Sequence, residues 1–306
     1  MRVWILTIGA AVLLRGQAPE PQTPPADAPA GPQVLQNTGK PMRVPFACTD
    51  EDIRSAGLSC SSEEPCAIYL ELASVEAVGT QMFVVGNIHS DSHTLYALVL
   101  SSADAGKTWR EPVERIPGAA LDHVRFTDFE HGWIGGQNLY PVPNDPFVLL
   151  STDGGKTWRK RPMFDDQRAG TILQMWFESR NNGAAVLDRG QSTEGMRYEL
   201  YESATGGESW MVREASLKPP PIRRMPPAAE SGWRVRADAR SKSFRIEKRG
   251  PAQWTPVASF LIELDPCKPA ERKPQEPPPA LETPAPEPAT RPVAPRKPPT
   301  LKKSRQ

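Results

Sequence analysis

Ser102-Ala103-Asp104-Ala105-Gly106-Lys107-Thr108-Trp109 and Ser151-Thr152-Asp153-Gly154-Gly155-Lys156-Thr157-Trp158 are one phrase written twice. A third copy keeps Ser203, Gly207 and Trp210, with Thr205 in place of the aspartate and Ser209 in place of the threonine. Equivalent positions recur about every 50 residues, and a period of that size marks one supersecondary unit stacked on copies of itself.

The residues leading into each phrase alternate as strands do: Leu95, Ala97 and Val99, then Phe147 to Leu150, then Tyr198 and Leu200. The phrase therefore sits on a hairpin between the third and fourth strands of a four-stranded unit. Gly106 and Gly155 supply the positive φ of its turn. Asp104 and Asp153 bond backbone amides across it, and Trp109, Trp158 and Trp210 fill the space between neighbouring sheets. A second phrase marks the second strand: Phe126, Asp128, Gly132 and Trp133 match Phe177, Ser179, Gly183 and Ala184. Gly232 and Trp233 extend that phrase to a fourth unit, whose hairpin is worn down to Phe244, Ile246, Gly250 and Trp254. Four units follow, at about 67–115, 116–164, 165–216 and 217–264.

These boxes resemble those of the Asp-box or BNR repeat proteins in the sialidase-like β-propeller superfamily. The likeness is greatest to the branch of photosystem II assembly and stability factors, and it covers residues 67–264. It implies an all-β propeller of four-stranded blades, usually six or more; the four units counted here make it either a small closed ring of about four blades or a half-ring that pairs. It also implies that the boxes lie at the outer rim, where they serve enzymes and non-enzymes alike.

The flanks differ in composition, since the 35 prolines crowd both ends. Residues 1–18, with a 12-residue apolar run from Val3 to Leu14 and small residues before the proposed cut, read as an export signal. An uncleaved anchor is the alternative, because Pro19 is unfavourable just after the cut. The run is well short of the ~20 residues that span a bilayer. Residues 19–47 read as a Pro-rich linker, 48–66 as a cysteine-containing lead-in, and 265–306 as a Pro-rich disordered tail. The four cysteines lie outside the repeats, and an even number in an exported chain predicts disulfides among Cys48, Cys60, Cys66 and Cys267. Either an N-terminal cysteine reaches Cys267 and clasps the first and last units, or Cys60 and Cys66 close a local loop with Cys48 and Cys267 free or joined. The chain is placed in the periplasm or outside the cell.

Function is expected on the loops between second and third strands, which vary in chemistry from unit to unit. Candidate binding residues are His89, Asp91 and His93 on the first loop, Tyr140 and Asp145 on the second, Asp188 and Arg189 on the third, and Arg240 on the fourth. The His89-x-Asp91-x-His93 string is a weak metal candidate, because real sites draw ligands from several elements. Sialidase chemistry, as the resemblance implies it, needs a tyrosine with a glutamate, an aspartate and three arginines. Arg115, in an Arg-Ile-Pro string, falls in a connection between blades, and Tyr198 and Glu199 face opposite sides of a strand. The leading reading is a non-enzymatic scaffold, with no cofactor, for a protein or surface glycan in an envelope complex. The alternative is a sialidase-type glycoside hydrolase or carbohydrate-binding protein. Net charge is only +1 overall, yet nine Lys or Arg face four Glu from Pro266 onward. That basic arm suits an anionic envelope surface. Nothing points to nucleic acid, and an incomplete ring predicts a homodimer.

Overall fold

The structure, a computed structural model, describes residues 33–140, 142–190, 195–226 and 232–269. The expected export signal, residues 19–32 of the expected linker and the basic stretch beyond 269 lie outside the described residues. Two short elements, β1 (Leu35–Gln36) and α1 (Asp50–Ser55), come first. The first unit holds β2 (Tyr69–Val78), β3 (Gln81–His89), β4 (Thr94–Ser102), β5 (Thr108–Trp109) and β6 (Ile116–Pro117). In the second are β7 (Ala119–Phe126), β8 (Gly132–Asn138), β9 (Asn144–Ser151) and β10 (Arg159–Pro162). The third contains β11 (Thr171–Phe177), β12 (Gly183–Asp188), β13 (Tyr198–Ser203) and β14 (Met211–Ser216), and the fourth β15 (Trp233–Asp238), β16 (Ser243–Arg249) and β17 (Trp254–Leu261).

Each unit is an antiparallel meander, with sheet orders β2-β3-β4-β6, β7-β8-β9-β10, β11-β12-β13-β14 and β15-β16-β17. This is the blade architecture of a β-propeller. The second and third strands are apolar on both faces because a sheet lies on each side of them: β8 is buried almost throughout, and so is β4 beyond its first turn.

The boxes form as their chemistry requires. Asp104 accepts from the backbone N–H of Lys107 at 3.1 Å and Thr108 at 2.9 Å, and from the hydroxyls of Ser102 and Thr108 at 2.8 and 2.7 Å. Asp153 repeats the set. Two consecutive positive φ angles turn the chain, 60° at Ala105 and 88° at Gly106, 74° at Gly154 and 76° at Gly155. The tryptophans then reach the neighbouring sheet. Trp109 is fully buried edge-on to Phe260 of the fourth unit, and Trp158 meets Phe83 of the first. Removing such a ring costs about 3–5 kcal/mol.

These contacts fix the order in space as fourth, first, second, third. One hydrophobic cluster joins Phe260 and Ile246 of the fourth sheet to Leu70, Met82 and Leu100 of the first. Another links Val85 and Val99 to Leu121 and Ile134 of the second, and a third links Trp133 and Val148 to Met175 and Phe177 of the third. Among the described residues no cluster and no strand pairing joins the third sheet to the fourth, so the small closed ring is not formed there.

Two expectations are corrected. Residues 33–47 are not a solvated linker. Met42 pairs in parallel with Phe260 on the outer edge of β17, β1 pairs with β5, and Val44 and Phe46 are buried. Their apolar side chains, spaced two apart, lace the fourth sheet to the first. The fourth unit, expected to have four strands, shows three of its own. Gly232 and Trp233 open a second strand, as Gly132 and Trp133 do. The first-strand position is unfilled among the described residues, and Ile222, from the stretch that was to hold it, packs on the third sheet against Val186 and Leu200. Both disulfide expectations are met, since Cys48 bonds Cys267 and Cys60 bonds Cys66. The first clasps the fourth unit to the lead-in of the first, beside backbone bonds between Cys66 and Cys267 at 2.9 Å.

Candidate functional site

The loops between second and third strands fall at one end of the sheets, and two joints lock them together. The first loop closes on itself: Ser90 N–H donates to the His93 carbonyl at 2.8 Å, and Ser90 Oγ accepts from His93 N–H at 3.1 Å. That hairpin sends the two histidines apart. His89 lies against Tyr69, while His93 stacks on Tyr140 of the second loop at 6.0 Å and 12°. Tyr140 donates to the Thr94 carbonyl at 3.3 Å. Asp91 is exposed, and among the described residues no three His, Cys, Asp or Glu side chains converge as metal donors.

Beside this stack lies a cavity of about 200 Å³ walled by Leu95, Tyr96, Pro117, Tyr140 and Asp52 of α1. Asp52 is spent on structure. It accepts from Thr49 N–H at 2.7 Å in a capping box and from the Tyr96 hydroxyl, and burial, then Asp52, pushes the Tyr96 phenol up to about 12. The Thr49-x-x-Asp52 spacing was a readable helix start; its union with Tyr96 was not.

The second joint runs from the second loop to the third sheet. Asp145 accepts from Arg168 N–H at 3.1 Å, and Arg168 donates to the Tyr201 hydroxyl at 2.9 Å. Tyr201 donates to Glu199 at 2.6 Å, and Glu199 also takes Arg189 at 3.1 Å. Burial first, then Glu199, raises the Tyr201 phenol to about 12, which holds it protonated, the reverse of an activated nucleophile. Asp188 is held below the usual carboxylate range, chiefly by a paired bond to Arg197 at 2.7 and 2.8 Å. Arg115 is consumed by Glu111 at 2.6 Å and the Pro45 carbonyl at 2.7 Å. Tyr198 and Glu199 do face opposite sides, Tyr198 toward Val186 and Leu200, Glu199 toward Tyr201.

The fourth loop differs. Arg240 sits with Arg236, Arg245, Ser241 and Asp238 around an open cavity of about 510 Å³. Asp238 is depressed chiefly by the Ser241 hydroxyl at 2.6 Å and pairs with Arg245. Arg245 and Arg240 thus act on one carboxylate, and Arg236 lines the same cavity. Of these only Arg240 was legible from sequence as a candidate; Arg236 and Arg245 join it through strand register.

No protein-family model matches this chain, and no curated protein does. Among solved structures, it is similar to YCF48 bound to D1 peptide, with 20% identity, a TM-score of 0.36, and coverage of 64% of this chain and 54% of that one. YCF48 from Cyanidioschyzon merolae gives 20% identity and a TM-score of 0.33 over 63% and 56%. The GH74 xyloglucanase from Xanthomonas campestris gives 17% and 0.33 over 44% and 19%. The chain spans a little over half the length of the two YCF48 structures.

Proposed function

We propose that this chain is an exported, non-enzymatic propeller scaffold that holds a protein partner on its loop face. The observation that carries the reading is the state of the loop-face side chains. Tyr201, Glu199, Asp188 and Asp52 are each committed to a structural pair. What remains presented is an aromatic stack, a small apolar cavity and a cationic cluster, which are features of recognition. Export is supported by the two disulfides, which persist in oxidising compartments.

The test is capture from native envelope fractions by the full chain, compared with Tyr140→Ala and Arg240→Glu. A protein retained by the wild type and lost by either variant supports the reading. Turnover of a fluorogenic sialoside, abolished by Arg115→Ala, would replace it with the hydrolase.

A further inference from the structure

We infer that the fourth sheet receives an extended, carboxylate-bearing segment of a partner polypeptide, paired as a strand with the open edge of β15 and held by Arg236, Arg240 and Arg245. The inference rests on the protein-partner reading and names the site and chemistry of contact.

Three observations meet here. The second strands of the other units lie between two strands and are largely buried, as in β3 and β8, whereas β15 is the terminal strand of its sheet, with Arg236 and Ala237 exposed. The Arg249 N–H bonds the Gly232 carbonyl at 2.8 Å, and the register continues without a shift to Asp238 and Ser243. By the alternation of an antiparallel ladder, Arg234 and Arg236 then turn their backbone groups toward β16, and Val235 and Ala237 turn theirs to the open edge. An edge with outward N–H and C=O groups is a template for strand addition.

The second observation is a glycine exchanged for an arginine. In the first and second units the first strand bulges against the second, and a Cβ on Gly86 or Gly136 would stand 2.0 or 2.2 Å from the Glu71 or Ala120 carbonyl oxygen. Counting from Trp133 and Trp233, Arg236 occupies the place of Gly136. Leu187 holds the same place in the third unit with β11 paired beside it, so a side chain is not excluded there; at β15 the residue is a charged one, on an edge that no strand covers among the described residues.

The third is charge. Arg236 stands directly across the ladder from Arg245, and like charges in that relation destabilise a sheet unless an anion lies between them. The neighbouring pair, Arg234 with Glu247 at 2.6 Å, is compensated. Asp238 answers Arg245 and, more weakly, Arg240, while Arg236 forms no ion pair with a carboxylate among the described residues. A strand laid along Val235 and Ala237 places alternate side chains over this cluster, and carboxylates there meet planar donors suited to two-point contact.

The experiment uses the full disulfide-bonded chain and a fluorescent synthetic peptide of alternating Val and Glu, with a Val/Lys peptide and an N-methylated Val/Glu peptide beside it. Anisotropy is expected to show saturable binding of the Val/Glu peptide alone. Arg236→Glu weakens it by at least about tenfold. Ala237→Pro weakens it similarly while leaving the melting temperature near that of the wild type, because the lost N–H faces away from β16. Should Ala237→Pro fail to fold, loss of binding on N-methylation of the peptide carries the same information. Binding that survives both Ala237→Pro and N-methylation overturns the strand pairing, as does a concentration-dependent dimer abolished by Ala237→Pro, which assigns the edge to a second copy. No binding of the Val/Glu peptide overturns the inference while leaving capture by Tyr140 and Arg240 intact as a separate result.

Discussion

The side-chain carbonyl of Asn87, on the first sheet, accepts the backbone N–H of Leu121, on the second, at 3.0 Å in a buried setting. Gln137 does the same one unit later, taking the N–H of Ile172 at 3.4 Å. Leu121 and Ile172 stand just before the bulge of their strands, where the ladder leaves a donor without a partner. The amide therefore ties each sheet to the next at its irregular point. At the equivalent place in the third unit stands Asp188, turned instead to Arg197 and the Gly190 N–H. This change falls at the seam where the array stops.

Asn87→Ala is expected to destabilise the fold by about 1–3 kcal/mol, since it orphans a buried donor. Asp188→Asn breaks an ion pair whose arginine is about half exposed, and costs about 1 kcal/mol or less. Urea melts of the two variants check the ranking, and equal losses would mean that the amide is not an inter-sheet tie.

Acid weakens the boxes. Bonds from Thr108 and Thr157, backbone and hydroxyl, lower Asp104 and Asp153 to about 2. A carboxylate depressed in the folded state stabilises it above the unfolded value near 4 and loses that contribution as pH falls toward 2. Both groups are solvent-facing, so the effect is discounted to about 1 kcal/mol each. Asp104→Asn with Asp153→Asn should flatten the stability profile between about pH 4 and 2. Thermal melts across that window measure it.

Ala105 holds a φ of 60°, where the second and third boxes have Gly154 and Gly206. Ala105→Gly relieves the left-handed strain of about 1–2 kcal/mol but loosens the unfolded chain by about 0.4–1 kcal/mol. A net gain of roughly 0.5–1 kcal/mol is expected from chemical denaturation, and a loss would show that the turn tolerates alanine without strain.

Much of the fold was legible because the box carries its own turn chemistry: Asp104, Gly106 and Trp109 each do the work their residue type announces. Both disulfides lie within the pairings that the cysteine spacing leaves open. At the edges of the array, composition misleads. Six prolines across 19–32 made the whole stretch to 47 look solvated, though Met42, Val44 and Phe46 carry a strand's alternation. That the first-strand position of the fourth unit is unfilled among the described residues was not legible, because Gly232 and Trp233 signal a second strand and say nothing of the one before. Of the candidate residues, Tyr140 and His93 come together and His89 and Asp91 do not join them, because a single Ser90-centred hairpin decides where each ring points.

The clasp and the short loop should differ in worth. Cys48 and Cys267 are 219 residues apart, Cys60 and Cys66 only 6, and the entropy removed from the unfolded chain grows with the length closed. By that model the long bridge contributes about 5 kcal/mol and the short one about half as much. The long bridge also fastens the two segments that complete the fourth sheet, the Met42 strand and the pairing of Cys66 with Cys267. Cys48→Ser with Cys267→Ser should therefore lower the unfolding midpoint more than Cys60→Ser with Cys66→Ser. It should also speed amide exchange along β17 first. Uniform loss across all four sheets would mean that the clasp acts on the unfolded chain alone.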